Sequence, residues 1–194
     1  MDSDPAARPS PVAALVLAVA AMTVVVTVSN ILVAYPLNDW LTWAAFTYPL
    51  SFLVTDLTNR RLGPGQARRV VYAGFALALA LSWYFAGWRI ALASGSAFLV
   101  AQLLDVAVFD RLRAGIWWRA PLVSSSLGSA VDTVLFFAIA FAGTGLPWVS
   151  WAAGDFAVKL LMALSLLIPF RALSAYVREL PGAGTGGRAV GGRP

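Results

Sequence analysis

The chain has 194 residues, of which 60% are hydrophobic and 12% charged, with a formal net charge of +5 and a mean hydropathy of +0.77. That balance belongs to integral membrane proteins, and the length suits one helical bundle rather than two independent membrane domains. With neither cysteine nor histidine in the chain, disulfides, thiolate chemistry, the commonest metal ligand and every Ser-His or Cys-His nucleophile pair are excluded.

Residues 1–11 are polar and proline-rich and are expected to be a disordered N-terminal segment. The first span is expected over 12–34. It starts like a secretory leader, but Asp2 and Asp4 replace the usual basic start and the apolar run is too long, so it reads as an uncleaved helix. It closes on Ser29 and Asn30. A turn containing Pro36 leads to the second span, 40–57, and the strongest break in the chain follows at 59–69, with Gly63-Pro64-Gly65 and Arg60, Arg61, Arg68 and Arg69. The third span is expected over 70–86. Gly87-Trp88-Arg89 turns it into the fourth, 90–109, and a basic loop with Arg111, Arg113 and Arg119 flanks Trp117-Trp118. The fifth span, 122–142, ends at Gly143-Thr144-Gly145 and Pro147, and the sixth covers 148–170. The expected organisation is a transmembrane domain over 12–173, followed by a glycine-rich, disordered cytoplasmic tail over 174–194.

The fold class is therefore all-α integral membrane, a six-transmembrane-helix bundle. Loops after the second and fourth spans carry seven of the arginines, and the other loops carry only Arg89. The positive-inside rule then puts both termini and the basic loops in the cytoplasm of a multi-pass protein in the inner or plasma membrane. The high pI is topological and does not mark a nucleic-acid partner. Trp40, Trp43, Trp88, Trp148 and Trp151 at one boundary, and Trp117 and Trp118 at the other, read as interfacial belts.

Several polar residues fall where lipid would punish them. Thr47, Ser51, Thr55 and Asn59 recur every fourth residue, one polar stripe on a helix, with Asp56 beside it. Such a stripe must face protein or a wet cavity. Asp56, Asp105, Asp132, Asp155 and Lys159 all lie inside expected spans, where a charge at a helix centre costs roughly 2.5–3.5 kcal/mol on insertion scales. Asp155 and Lys159 are spaced i, i+4 and can pair on one face. Asp56 and Asp105 lie near the arginine loops and can serve as anchors to Arg60, Arg61 or Arg111. Asp132 has no basic neighbour in its own span, which makes it the foremost candidate for a substrate or proton ligand. Gln102-x-x-Asp105-x-x-x-Phe109 is echoed by Ser129-x-x-Asp132-x-x-x-Phe136, and internal repeats with matching polar positions occur in transporters.

These residues carry a resemblance. SNILV (29–33), FTYPLSFLVTDLTNRRLG with ARRVVYAGF (46–75), AQLLDVAVFDRLR (101–113), WWRAPLVSSSLGSAVDTVLFFAIAF (117–141) and GDFAVKLLMALSLLIPF (154–170) together resemble the queuosine precursor transporter family, in the vitamin-uptake-transporter group. The resemblance implies a non-enzymatic, cofactor-free importer of 7-cyano-7-deazaguanine and 7-aminomethyl-7-deazaguanine for queuosine synthesis in transfer RNA. It also implies a fold similar to the substrate-binding subunits of energy-coupling-factor importers. Implied partners are the deazapurine and the lipid bilayer, with homodimerisation open. A guanine-type edge presents N–H donors to a carboxylate and a carbonyl to Gln102, Asn30, Ser129 or Lys159. Phe46, Trp43 and Phe136 are candidates for an aromatic wall. The expected substrate-binding set is thus Asn30, Phe46, Ser51, Thr55, Asp56, Gln102, Asp105, Ser129, Asp132, Asp155 and Lys159. A binding subunit that needs a separate ATPase module is the alternative, to be told apart by uptake in a host lacking that module. An intramembrane protease is disfavoured, because Ala153-Gly154-Asp155 lacks the Gly-x-Gly-Asp pattern and there is no Gly-x-Ser-x-Gly elbow.

Overall fold

A computed structural model describes residues 10–32, 35, 37–38 and 41–176. The expectations for residues 1–9, for Pro36 and Trp40, and for the chain beyond 176 lie outside the described residues. Every regular element described is a helix: α1 (Pro11–Leu32), α2 (Ala44–Thr47), α3 (Leu50–Leu62), α4 (Pro64–Ala86), α5 (Trp88–Leu112), α6 (Arg119–Phe141), α7 (Trp148–Ser165) and α8 (Leu167–Tyr176). Five stretches are long and apolar enough to cross a membrane: α1, α4, α5, α6 and the run Trp148–Ser174 that joins α7 to α8.

The expected second span is not one continuous helix. The backbone stays right-handed through Tyr48 and Pro49, but Pro49 has no N–H to offer. The amides of Ser51 and Phe52 instead close tight turns, Ser51 N donating to Tyr48 O at 2.9 Å and Phe52 N to Pro49 O at 3.1 Å. Pro169 has the same effect in the expected sixth span, which is interrupted at Leu166. Helix then continues through Tyr176, past the expected start of the tail.

The expected break at 59–69 is far shorter than the arginines suggest. The helix α3 runs on through Arg60 and Arg61, and Gly63 alone joins it to α4. Gly63 adopts φ 82°, which only glycine reaches without strain, and Pro64 starts α4 where a missing N–H is harmless. Gly87, at φ 83°, joins α4 to α5 in the same way.

Polarity runs inside out relative to a water-soluble bundle. Met22, Val26, Ala67, Val70, Val71, Ala78, Phe98 and Val106 form an apolar core where α1, α4 and α5 meet. The bundle also buries Ser51, Thr55, Asp56, Asn59, Gln102, Asp105, Ser124, Ser129, Asp132 and Lys159, while Val12, Leu17, Tyr72, Val134, Leu161 and Ile168 face outward. Lipid on the outside accounts for both, since a hydrocarbon solvent gives no reason to hide Leu or Val. At the centre, α5 has half of its apolar window buried, against 22% for α1. Small residues let α6 approach it: a Cβ on Gly128 would stand 3.3 Å from Ala101 O and 2.7 Å from the Phe52 ring.

The arginines close helix ends. Arg60 Nη1 donates to Arg113 O (2.9 Å) and Arg113 Nη1 to Asn59 O (3.2 Å), so α3 and α5 cap one another. At the opposite end Arg89 donates to Ile139 O (3.1 Å) and Ala142 O (2.9 Å), the last carbonyls of α6.

Candidate functional site

A cavity of about 670 Å³ occupies the end of the bundle where α1, α4 and α6 finish and α2, α5 and α7 begin. Its floor is an ionic cluster. Lys159, on α7, is buried and donates to Asp132 Oδ2 at 2.8 Å, reaching across to α6. The same ammonium pairs with Asp155 Oδ2, one turn back on α7, at 2.5 Å, and contacts Thr133 Oγ1 at 3.2 Å. Thr133 Oγ1 donates to Asp155 Oδ2 (2.8 Å), and Tyr48 OH donates to Asp132 Oδ1 (2.9 Å) with its ring under the ammonium. The helix break at Pro49 thus sits beside the tyrosine that holds the mid-bundle carboxylate.

The i, i+4 pair read from the sequence is present, but it is half of the arrangement. Asp132, read as having no basic neighbour in its own span, takes one from the adjacent helix. Two carboxylates against one ammonium leave the cluster one negative charge, and Asp155 Oδ1 accepts no bond from the described residues. The opposite wall is neutral and polar. Asn30 donates from Nδ2 to Val26 O (2.9 Å) and accepts from Ser82 Oγ at Oδ1 (3.0 Å), with Ser94 beside Ser82 at 3.4 Å. Phe136, Phe137, Phe141 and Trp151 supply an aromatic side, Phe141 and Trp151 meeting edge-on with centroids 5.8 Å apart.

Of the expected site residues, Asn30, Asp132, Asp155 and Lys159 line this cavity, as does Phe136. Phe46 and Trp43 pack on each other, 38% and 49% exposed, away from its wall. Ser51, Thr55 and Gln102 form a closed layer beneath it: Thr55 Oγ1 donates to Gln102 Oε1 (2.7 Å), and Gln102 Nε2 donates to Ser51 Oγ (2.8 Å). Ser129 is buried outside the cavity wall. Asp56 and Asp105 lie deeper still, Asp56 accepting from Ser124 and Ser125 at 3.3 Å each. No salt bridge to Arg60, Arg61 or Arg111 anchors either carboxylate among the described residues. Sequence reasoning missed Tyr48, Ser82 and Thr133. A tyrosine in an apolar run and single hydroxyls on otherwise apolar helices carry no periodic signal that marks them.

Membrane-length helices around an open, charged cavity suit a multi-pass membrane transporter, and comparison with known proteins supplies that class. A family described as "Putative vitamin uptake transporter" matches residues 42–87 and 82–173. The chain is 37% identical to the "Queuosine precursor transporter" of Escherichia coli (strain K12), with 75% of this chain and 79% of that one covered. It is also 37% identical to the "Probable queuosine precursor transporter" of Haemophilus influenzae, over 66% of each chain. A Bacillus subtilis protein of the same description is 29% identical over half of this chain. No solved structure gives a significant match. The chain belongs to the queuosine precursor transporter family, and its role is transport and not enzymatic.

Proposed function

We propose that the chain imports 7-deazaguanines, the 7-cyano and 7-aminomethyl forms, through the cavity above the Lys159 cluster. The carrying observation is that cluster: acceptors at Asp132 and Asp155 and a donor at Lys159 converge on one polar floor, flanked by aromatic rings. A guanine-type edge has the matching pattern, N–H groups for a carboxylate and a carbonyl for the Asn30 amide, which keeps one N–H beyond its bond to Val26 O. Asn30 and Ser82 offer further polar contacts on the facing wall.

The α2–α3 unit is taken as a sixth crossing, broken at Pro49, so that successive connections alternate sides. The arginine-rich end, with Arg60, Arg61, Arg68, Arg69, Arg111, Arg113 and Arg119, is then cytoplasmic along with both termini. The cavity faces outward, and the Ser51–Gln102–Thr55 layer closes the way in.

The test is uptake in a strain unable to make queuosine precursors and lacking any energy-coupling ATPase module. Expression of this chain alone should restore queuosine from either added precursor. Restoration only when an ATPase module is supplied would favour the binding-subunit reading. Asp132→Asn leaves Lys159 paired with Asp155 and should still fold, yet lose most uptake, because its amide N–H opposes the ligand's donors, a mismatch of about 1–3 kcal/mol. Undiminished uptake by that variant would overturn the assignment of Asp132.

A further inference from the structure

Below the closed layer lies a second polar site that the substrate cavity does not reach. Asp56 on α3 is 2% exposed and Asp105 on α5 is fully buried. The two lie at one level of the bundle, between the α3–α5 hydrogen bonds Thr55–Gln102 and Asn59–Val106. Ser124 and Ser125 both donate to Asp56, whereas neither oxygen of Asp105 receives a hydrogen bond. One turn towards the arginine-rich end, Asn59 Oδ1 is likewise a buried acceptor without a donor. The site has more acceptors than donors, and a missing donor is what the geometry asks for.

No fixed cation fills that role among the described residues. Arg60 and Arg113 bond backbone carbonyls at the helix ends, Arg113 also meets Asp110 at 3.4 Å, and Arg61, whose Nε is buried two residues beyond Asn59, forms no salt bridge with either carboxylate. Lys159 is held by Asp132 and Asp155. On α4, Arg68, Arg69 and Tyr72 face outward, and α6 and α8 present Ser124, Ser125 and the apolar Pro121, Leu167 and Phe170 here. A void of about 10 Å³ touches Asp56 and Ser125 at the break between α7 and α8. It has room for about one water molecule and none for a hydrated metal ion. Two carboxylates side by side in a dry interior do not both stay ionised, and a single proton supplies the donor they lack.

We propose that Asp56 and Asp105 bind one proton between them, and that this proton is carried inward with the substrate. It arrives from outside water as hydronium and leaves to cytoplasmic water past the α7–α8 break, with no other bond made or broken. The pair is thus a coupling site, separated from the substrate by the Ser51–Gln102–Thr55 layer. The second half of this proposal rests on the transport reading above; the first half does not.

Two measurements separate them. Infrared spectra of the purified full chain at neutral pH should show a carboxylic-acid C=O band that shifts in heavy water. The band should be lost in both Asp56→Asn and Asp105→Asn and retained in Asp132→Asn. These amides mimic the neutral carboxyl, so both variants should fold, as read by size-exclusion profile. No such band in the wild-type chain, or a band that survives both replacements, overturns the proton site. In proteoliposomes, an acid-outside gradient should make the wild-type chain accumulate labelled 7-aminomethyl-7-deazaguanine several-fold above equilibrium, while Asp105→Asn only equilibrates it. Wild-type uptake that ignores the gradient overturns the coupling. No uptake under any gradient defeats the transport reading, and the infrared band still decides the proton site.

Discussion

Lys159 is the residue on which the cavity floor depends, because it neutralises two carboxylates from two helices. Removing one partner of a buried ion pair typically costs about 3–5 kcal/mol, since the other charge is left stranded. Lys159→Met should therefore lower folded yield sharply. Asp155→Asn combined with Lys159→Met should recover only part of it, because Asp132 remains charged with Tyr48 as its sole donor. Adding Asp132→Asn should recover most, and equal yields from the single and triple variants in detergent size-exclusion would show that the cluster is not an ion-pair network. Net charge gives a second expectation. If 7-deazaguanines are imported as proposed, one negative charge in excess should favour the cationic aminomethyl form over the neutral cyano one. Asp155→Asn should erase that preference in competition uptake, and an unchanged ratio would count against electrostatic selection. The sequence disclosed the Asp155–Lys159 spacing because i, i+4 geometry is local. It could not disclose the bond from Lys159 to Asp132, which depends on how α6 packs against α7. The same limit hid Tyr48, whose role exists only because α3 and its proline turn deliver it to α6.

Contacts between helices explain why α5 and α6 tolerate so many polar side chains at their interface. Gly128 lets Phe52 of α3 lie against the α6 backbone, and Phe52 is almost fully enclosed. Gly128→Ala should therefore destabilise the bundle by about 1–3 kcal/mol, seen as a lower melting temperature in detergent, and Phe52→Leu should relieve part of the loss. Gly74→Ala is the milder comparison. Its nearest neighbour is Met22 Cγ at 2.8 Å, the body of a flexible side chain, although Phe98 Cζ at 3.0 Å leaves little room. A Gly74→Ala loss larger than that of Gly128→Ala would reverse this ranking. The polar stripe on the second expected span was legible and faces protein: Thr47 accepts from Ser29, Thr55 and Ser51 meet Gln102, and Asn59 donates to Val106 O. The break within that span was less legible. Pro49 stands in plain view, but whether a proline kinks, stops or merely tightens a helix depends on neighbours that re-satisfy the freed backbone groups. The arginine runs, likewise, read as a loop although they continue α3 by a turn.

Across the whole molecule, the polar groups fall in layers along the bundle axis: the open cavity with its Lys159 cluster, the sealed Ser51–Gln102–Thr55 layer, the Asp56–Asp105 pair and the arginine-capped helix ends. The order assigns the cavity and the arginines to opposite faces. Single cysteines at Gln66 and Thr144, in a chain with none of its own, should therefore label from opposite sides with a membrane-impermeant thiol reagent. Labelling from the same side would refute the orientation. The glycine joints at 63 and 87 have a further consequence for chain length. Each reverses the chain with one residue, so α3, α4 and α5 follow one another with no slack, and any added residue would rotate a helix by roughly 100° against its neighbours. The connections at 113–118 and 142–147 absorb extra residues without turning a helix. A reporter spliced into either of those two connections should therefore leave the bundle folded, while the same insertion at Gly63 or Gly87 should disrupt it, because those reversals behave as fixed rulers.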